Sequence, residues 1–147
     1  MKDPLFEKGL KVRKQVLGAD YVERQFKNAD DFTLPIQAMA TQAGWGLAWA
    51  RSGLTRKQRS ICTICFVTAR SKPEELALHL RGALRNGLTK SEIREILLQS
   101  AIYCGFPEAL SAFRVAKEFF ANEGDKMLAS RRRTASARPK RAAKKSA

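Results

Sequence analysis

Apolar residues recur at helical spacing through most of the chain. Between 4 and 17, Leu5, Leu10, Val12, Val16 and Leu17 make one stripe that stops at Gly18, which predicts a first amphipathic helix. Residues 33 to 50 form a second apolar stretch interrupted by Gly44-Trp45-Gly46. Three helix starts of one kind follow: Thr55 with Gln58, Ser71 with Glu74, and Thr89 with Glu92. In each, a small hydroxyl precedes Glu or Gln by three residues, the spacing at which the two side chains cap each other's backbone N–H groups. The stops agree with the starts. Asn86-Gly87 closes one helix, Gly105 closes the next, Pro107 opens another in its first turn and Gly124 ends it. The expected helices run over 55 to 70, 72 to 85, 90 to 104 and 107 to 123. No stretch alternates as a strand does, so the expected fold is all-α with about six helices.

The pattern fails after residue 128. From Ala129 to Ala147 the chain is Ala, Ser, Thr, Arg and Lys with one Pro, and it carries eight basic residues and no acid. Such a segment buries too little apolar area to offset the entropy of ordering it. The expected organisation is one helical domain over 1–128 and a disordered basic tail over 129–147. The net charge of +14 falls to +6 once the tail is set aside, so the tail reads as a solubilising or accessory extension, with weak, salt-sensitive contact with a polyanion as the alternative. No run reaches the length of a membrane span and the first residues lack a secretory signal, which predicts a cytoplasmic protein with no membrane partner. Three cysteines then fit reduced thiols better than a disulfide framework.

Candidate chemistry concentrates in the 72–85 helix. His79 is the chain's one histidine, the side chain that titrates nearest neutrality. Glu75 precedes it by one helical turn, and both lie at the edge of the stripe made by Leu76, Leu80, Ala83 and Leu84. A Glu–His pair at this spacing serves as an acid/base couple or as a local hydrogen bond at a core boundary. One histidine and one carboxylate are too few for zinc, so no metal site is expected. Cys62-Thr63-Ile64-Cys65 has dithiol spacing, but it sits mid-helix between Ile61 and Phe66, away from a helix N-terminus that would lower a thiol pKa, and reads as core packing.

The landmarks, in order, are Trp45-Gly46 and Trp49, Gly53-Leu54-Thr55-Arg56 through Arg59-Ser60, Glu74-Glu75-Leu76 with His79-Leu80-Arg81, Asn86-Gly87, and Gln99 through Ala101-Ile102-Tyr103-Cys104-Gly105 with Pro107. In this order they resemble the 4-carboxymuconolactone decarboxylase family over roughly residues 4 to 121. The resemblance implies an all-α domain of the alkyl hydroperoxidase type, a homo-oligomer of trimeric or hexameric form, and no cofactor. It also implies a small dicarboxylate lactone as substrate, decarboxylated to 3-oxoadipate enol-lactone in protocatechuate breakdown. The related peroxidase branch has cysteines four and seven residues before the motif histidine, where this chain has Glu75 and Lys72. The decarboxylase branch is therefore the better match. A redox protein of the same fold and a non-enzymatic oligomer with a polyanion-binding tail are the alternatives.

Loss of carbon dioxide from such a lactone leaves an electron pair that spreads to the carbonyl oxygen as a dienolate. The reaction needs a charge-stabilising donor, an acid for the alpha carbon and cations for the substrate carboxylates. His79 is the candidate proton-transfer or oxyanion-stabilising group and Glu75 its orienting or proton-sharing partner. Arg81, Arg59 and Arg13 are candidate carboxylate anchors, since a guanidinium grips a carboxylate bidentately. Trp45, Tyr103 and Cys104 match the family pattern as cavity-lining residues.

Overall fold

A computed structural model describes residues 3–136. They are helical throughout their regular structure, with no strand among them: α1 (Pro4–Leu17), α2 (Ala19–Lys27), α3 (Leu34–Met39), α4 (Arg56–Ala69), α5 (Pro73–Arg85), α6 (Lys90–Cys104), α7 (Phe106–Phe119) and α8 (Asp125–Ser136). Two of these helices continue in wider turns. A π-helix over Ala40–Trp49 extends α3, and a π turn over Phe120–Gly124 joins α7 to α8.

Two expected capping boxes form. Thr55 and Gln58 cap α4, and Thr89 and Glu92 cap α6, each pair bonding reciprocally. The third does not. Pro73 takes the first turn of α5, which makes Lys72 the N-cap and leaves Ser71 in the left-handed conformation, φ 50°, that closes the preceding turn. Gly18 and Gly105 stop their helices at φ 102° and 104° as expected. Gly124 and the Gly44-Trp45-Gly46 break do not behave as stops, because the helix widens at both and carries on. The sequence reading also passed over α2, in which Val22 alone is fully buried.

The helices form two layers. In the first, α4 and α7 each pack against both α5 and α6, so α5 and α6 occupy opposite corners of a four-helix bundle. Ile64, Leu80, Leu84, Leu97, Ala116 and Phe119 are among its core residues. The second layer, α1 with α2, α3 and the π-helix, has its own core around Val12, Val16, Leu17, Val22 and Trp45. It rests on α5 through Gly82, where an added Cβ would lie 3.0 Å from a Val16 methyl. Within it, α1 and the π-helix approach at backbone distance. A Cβ on Gly9 would fall 2.1 Å from the Thr41 carbonyl oxygen, and one on Gly46 would fall 2.7 Å from that of Leu5. Glycine at both positions is what lets the π-helix sit so deep.

The expected disorder does not begin at residue 129. Helix α8 runs to Ser136, tied to the bundle by partly buried Met127 and Leu128 and by Arg131, whose guanidinium donates to the Leu84 carbonyl. Those two apolar anchors and one cross-bundle bond order the stretch that composition alone leaves unsupported. The remainder of the predicted tail, 137–147, lies outside the described residues. No helix among the described residues is long and apolar enough to cross a membrane.

Candidate active site

His79 sits where the two layers meet. Its neighbours in α5 divide between them, Leu80 entering the bundle core and Leu78 the second core. The half-buried imidazole stacks on Trp45 of the π-helix, ring centroids 6.4 Å apart and planes 19° from parallel. Trp49, next along the π-helix, packs on Trp45 at 4.9 Å. The π-helix thus supplies an aromatic wall for the histidine, with the buried face of Trp45 held by the glycine contacts just described.

Burial pushes His79 below its ordinary value near 6.5, because an imidazolium loses hydration there, and the negative charge of Glu75 offsets part of that shift. Glu75 is exposed at the rim. Among the described residues no hydrogen bond joins it to His79, so its influence is that of a nearby charge and not of an orienting bond. The imidazole is therefore neutral in the free protein at neutral pH, and negative charge arriving beside it raises its proton affinity.

The three candidate arginines part company. Arg13 is buried at 6 % exposure between α1 and the π-helix, its Nη1 donating to Thr41 Oγ1 at 2.9 Å and its Nη2 to Gln37 Oε1 at 2.7 Å. Its guanidinium also lies over the Phe26 ring at 5.6 Å, and its Nε has no partner among the described residues. Half-buried Arg59 reaches from α4 to the end of the π-helix, where its Nη2 donates to the Arg51 carbonyl at 3.1 Å, and its buried Nε is likewise unpartnered. Arg81 is not brought to this place. It lies two residues from His79, more than half a helical turn around α5, and forks onto Glu123 of the π turn, Nε to Oε2 at 3.0 Å. Its partner was invisible in the motif because it lies 42 residues away.

Tyr103 and Cys104 end α6, at the corner of the bundle opposite α5, so the structure does not place them with Trp45 and His79. Tyr103 is 81 % exposed. The thiols also differ from the core-packing expectation: Cys62 is exposed, while Cys65 is half-buried. Desolvation raises the Cys65 thiol above its ordinary range, the wrong direction for a thiolate nucleophile. Cys62 and Phe66, one turn apart on α4, are both on its exposed side. Among the described residues no group of three or more His, Cys, Asp or Glu is placed to hold a metal ion. A groove of about 1610 Å³ between α6, α7 and α8 lies away from His79.

The carboxymuconolactone decarboxylase family model matches residues 35–118, from the first turn of α3 to the last turn of α7. The chain belongs to this family. It is 46 % identical over 122 residues to nitrosuccinic acid decarboxylase npaB of Metarhizium robertsii, covering 83 % of this chain and 85 % of that protein. It is 38 % identical over 119 residues to the 4-carboxymuconolactone decarboxylase of Acinetobacter baylyi, covering 81 % and 89 %. Both relatives are decarboxylases by name, and within the family match lie Trp45, Arg59, Glu75 and His79. Arg13 falls outside the family match, yet the second layer it stabilises is what carries Trp45 to the histidine.

Proposed function

We propose that this member of the family is a carboxy-lyase that works without a cofactor, and that its substrate is 4-carboxymuconolactone, converted to 3-oxoadipate enol-lactone in the β-ketoadipate pathway. The observation that carries the reading is the half-buried His79, stacked on Trp45 with Glu75 one turn away. A dianionic substrate arriving beside this imidazole raises its proton affinity, so binding takes up a proton. As the carboxylate leaves as carbon dioxide, the electron pair passes to the lactone carbonyl as a dienolate, which the imidazolium stabilises. The imidazolium then gives its proton to the alpha carbon, which returns the neutral imidazole of the free protein, ready to take up a proton with the next substrate. Arg59, with its unused Nε, is the carboxylate anchor.

The 46 % identity to a nitrosuccinic acid decarboxylase favours a second reading, nitrosuccinic acid as substrate. There a nitro group beside the departing carboxylate takes the electron pair as a nitronate, and the same proton transfer completes the reaction. Each acid is mixed in turn with purified protein, and carbon dioxide and residual substrate are followed. The primary reading expects release from the lactone with loss of its ultraviolet absorbance. Release from nitrosuccinate alone selects the second reading, and release from neither rejects carboxy-lyase activity toward these acids.

A further inference from the structure

Helices α6, α7 and α8 enclose the groove of about 1610 Å³ that lies away from His79. Its floor is apolar, made by Ile93 and Leu97 of α6, Phe113 of α7, Phe120 of the π turn and Leu128 of α8. Its walls are basic: Lys90, Arg94, Lys117, Arg131 and Arg132 line it against one acid, Asp125. Part of that charge is committed. Lys90 pairs with Asp125 at 2.9 Å, Arg94 pairs with its neighbour Glu95 at 3.0 Å, and Arg131 donates to the Leu84 carbonyl. Lys117 on α7 and Arg132 on α8 are exposed and have no partner among the described residues.

The dimensions set what fits. The groove follows α7 and the π turn from Phe113 to Ala121 and α8 from Asp125 to Thr134, which at 1.5 Å per residue is roughly 12–13 Å of length. Spread over that length, 1610 Å³ gives a section of about 120–130 Å², the area of a rod about 12–13 Å across; an α-helix with its side chains is about 10–12 Å across. We propose that the groove docks an acidic amphipathic helix of another protein, about nine residues of which lie along it. Apolar residues at i, i+4 and i+7 of that helix rest on the floor, and carboxylates on its flanks reach Lys117 and Arg132. Charge excludes the occupants this chain could supply. Residues 137–147 bring five more basic side chains and no acid, and none of α1 to α8 has a net negative charge. The apolar floor favours a helix over a nucleic-acid strand, whose phosphates seek cations alone. A net charge of +14 also draws an acidic partner in at long range.

The test is fluorescence anisotropy of a labelled peptide of about 16 residues, long enough to span the groove as a helix, titrated with the full chain. The peptide is made of Leu, Glu and Ala, with Leu at i, i+4, i+7 and i+11 and Glu beside them, and a benzophenone midway along it records by mass spectrometry where it lies. The controls are a scramble of the same composition and charge and the double variant Lys117→Glu with Arg132→Glu, its helix content checked by circular dichroism. The proposal expects saturable binding of the patterned peptide, weaker by at least about tenfold for the scramble and for the double variant, with crosslinks to floor residues such as Phe113 or Leu128. A scramble that binds as tightly reduces the contact to diffuse charge and overturns the proposal. Crosslinks confined to other faces or to residues 137–147 overturn it, as does a folded double variant that holds the peptide as the parent does. So does an absence of saturable binding, whether because a second copy of the chain fills the groove or because oleate binds there and the peptide does not. Should the double variant fail to fold, the parent decides alone through the scramble and the crosslinks.

Discussion

Replacing Gly9 by alanine separates two rules that oppose each other. Gly9 lies inside α1, where alanine is intrinsically better than glycine by about 1 kcal/mol. In this structure the added Cβ meets the Thr41 carbonyl oxygen at 2.1 Å, the Gly46 nitrogen at 2.9 Å and the Thr41 carbonyl carbon at 3.0 Å. All three are backbone atoms, so no rotamer change relieves the overlap and α1 must move away from the π-helix by more than about 1 Å. That movement loosens Val12 and Val16 in the second core and stretches the Arg13–Thr41 bond. Overpacking of this kind costs about 1–3 kcal/mol and more where backbone has to shift, so a net loss of about 3 kcal/mol is expected, or roughly 6–12 °C in Tm for a chain of this size. Gly44, in the same layer, has nothing within 4 Å of its Cβ direction, and Gly44→Ala should be neutral or stabilising by up to about 1 kcal/mol. Thermal melts followed by circular dichroism measure both. A Gly9→Ala protein as stable as the parent would refute the close approach, and with it the account of how Trp45 is seated.

Other consequences concern charge. The basic limb of kcat/KM should follow His79 in the free enzyme, with activity falling as pH rises through its lowered pKa; Glu75→Gln removes the charge that raises that pKa and should move the limb to lower pH. A limb unmoved by this variant would remove Glu75 from the site. Because the folded state lowers the His79 pKa, its contribution to stability is complete above about pH 6.5 and is lost as pH falls through the folded-state value; His79→Gln should flatten that part of the urea-unfolding profile, and an unchanged slope would contradict the burial argument. Arg81→Met should cost no more than about 1 kcal/mol, since its pair with Glu123 is partly solvated, and should leave turnover within a factor of about two. A collapse in turnover would return Arg81 to the site.

How much of this was legible in the chain varies with the range of the interaction responsible. Helix ends set by local capping, as at Thr55, Thr89 and Gly105, could be read directly, and the buried side of α5 followed from Leu76, Leu80, Ala83 and Leu84. The Ser71 box failed because Pro73 competes for the same turn. The π winding of Ala40–Trp49 left no periodic signature, since the glycines that permit it read equally well as a break. His79 stood out by being alone, and Trp45 by its place in the family pattern. What decides the roles of the arginines is distant in sequence: Glu123 claims Arg81, whereas Thr41 and Gln37 hold Arg13. Tyr103 and Cys62 are exposed because of how α4, α6 and α7 are rotated in the bundle, which no local pattern records.

The central claim is that His79 supplies the proton. Its most direct test is the steady-state rate of carbon dioxide release by His79→Gln under conditions where the parent turns over, with helix content checked alongside. Glutamine keeps a hydrogen-bond donor of similar reach but has no proton to transfer near neutrality, so kcat should fall by roughly 10²- to 10⁴-fold with a smaller change in KM. A folded His79→Gln protein within a factor of a few of the parental rate would contradict the account and leave the arginines to supply the charge stabilisation.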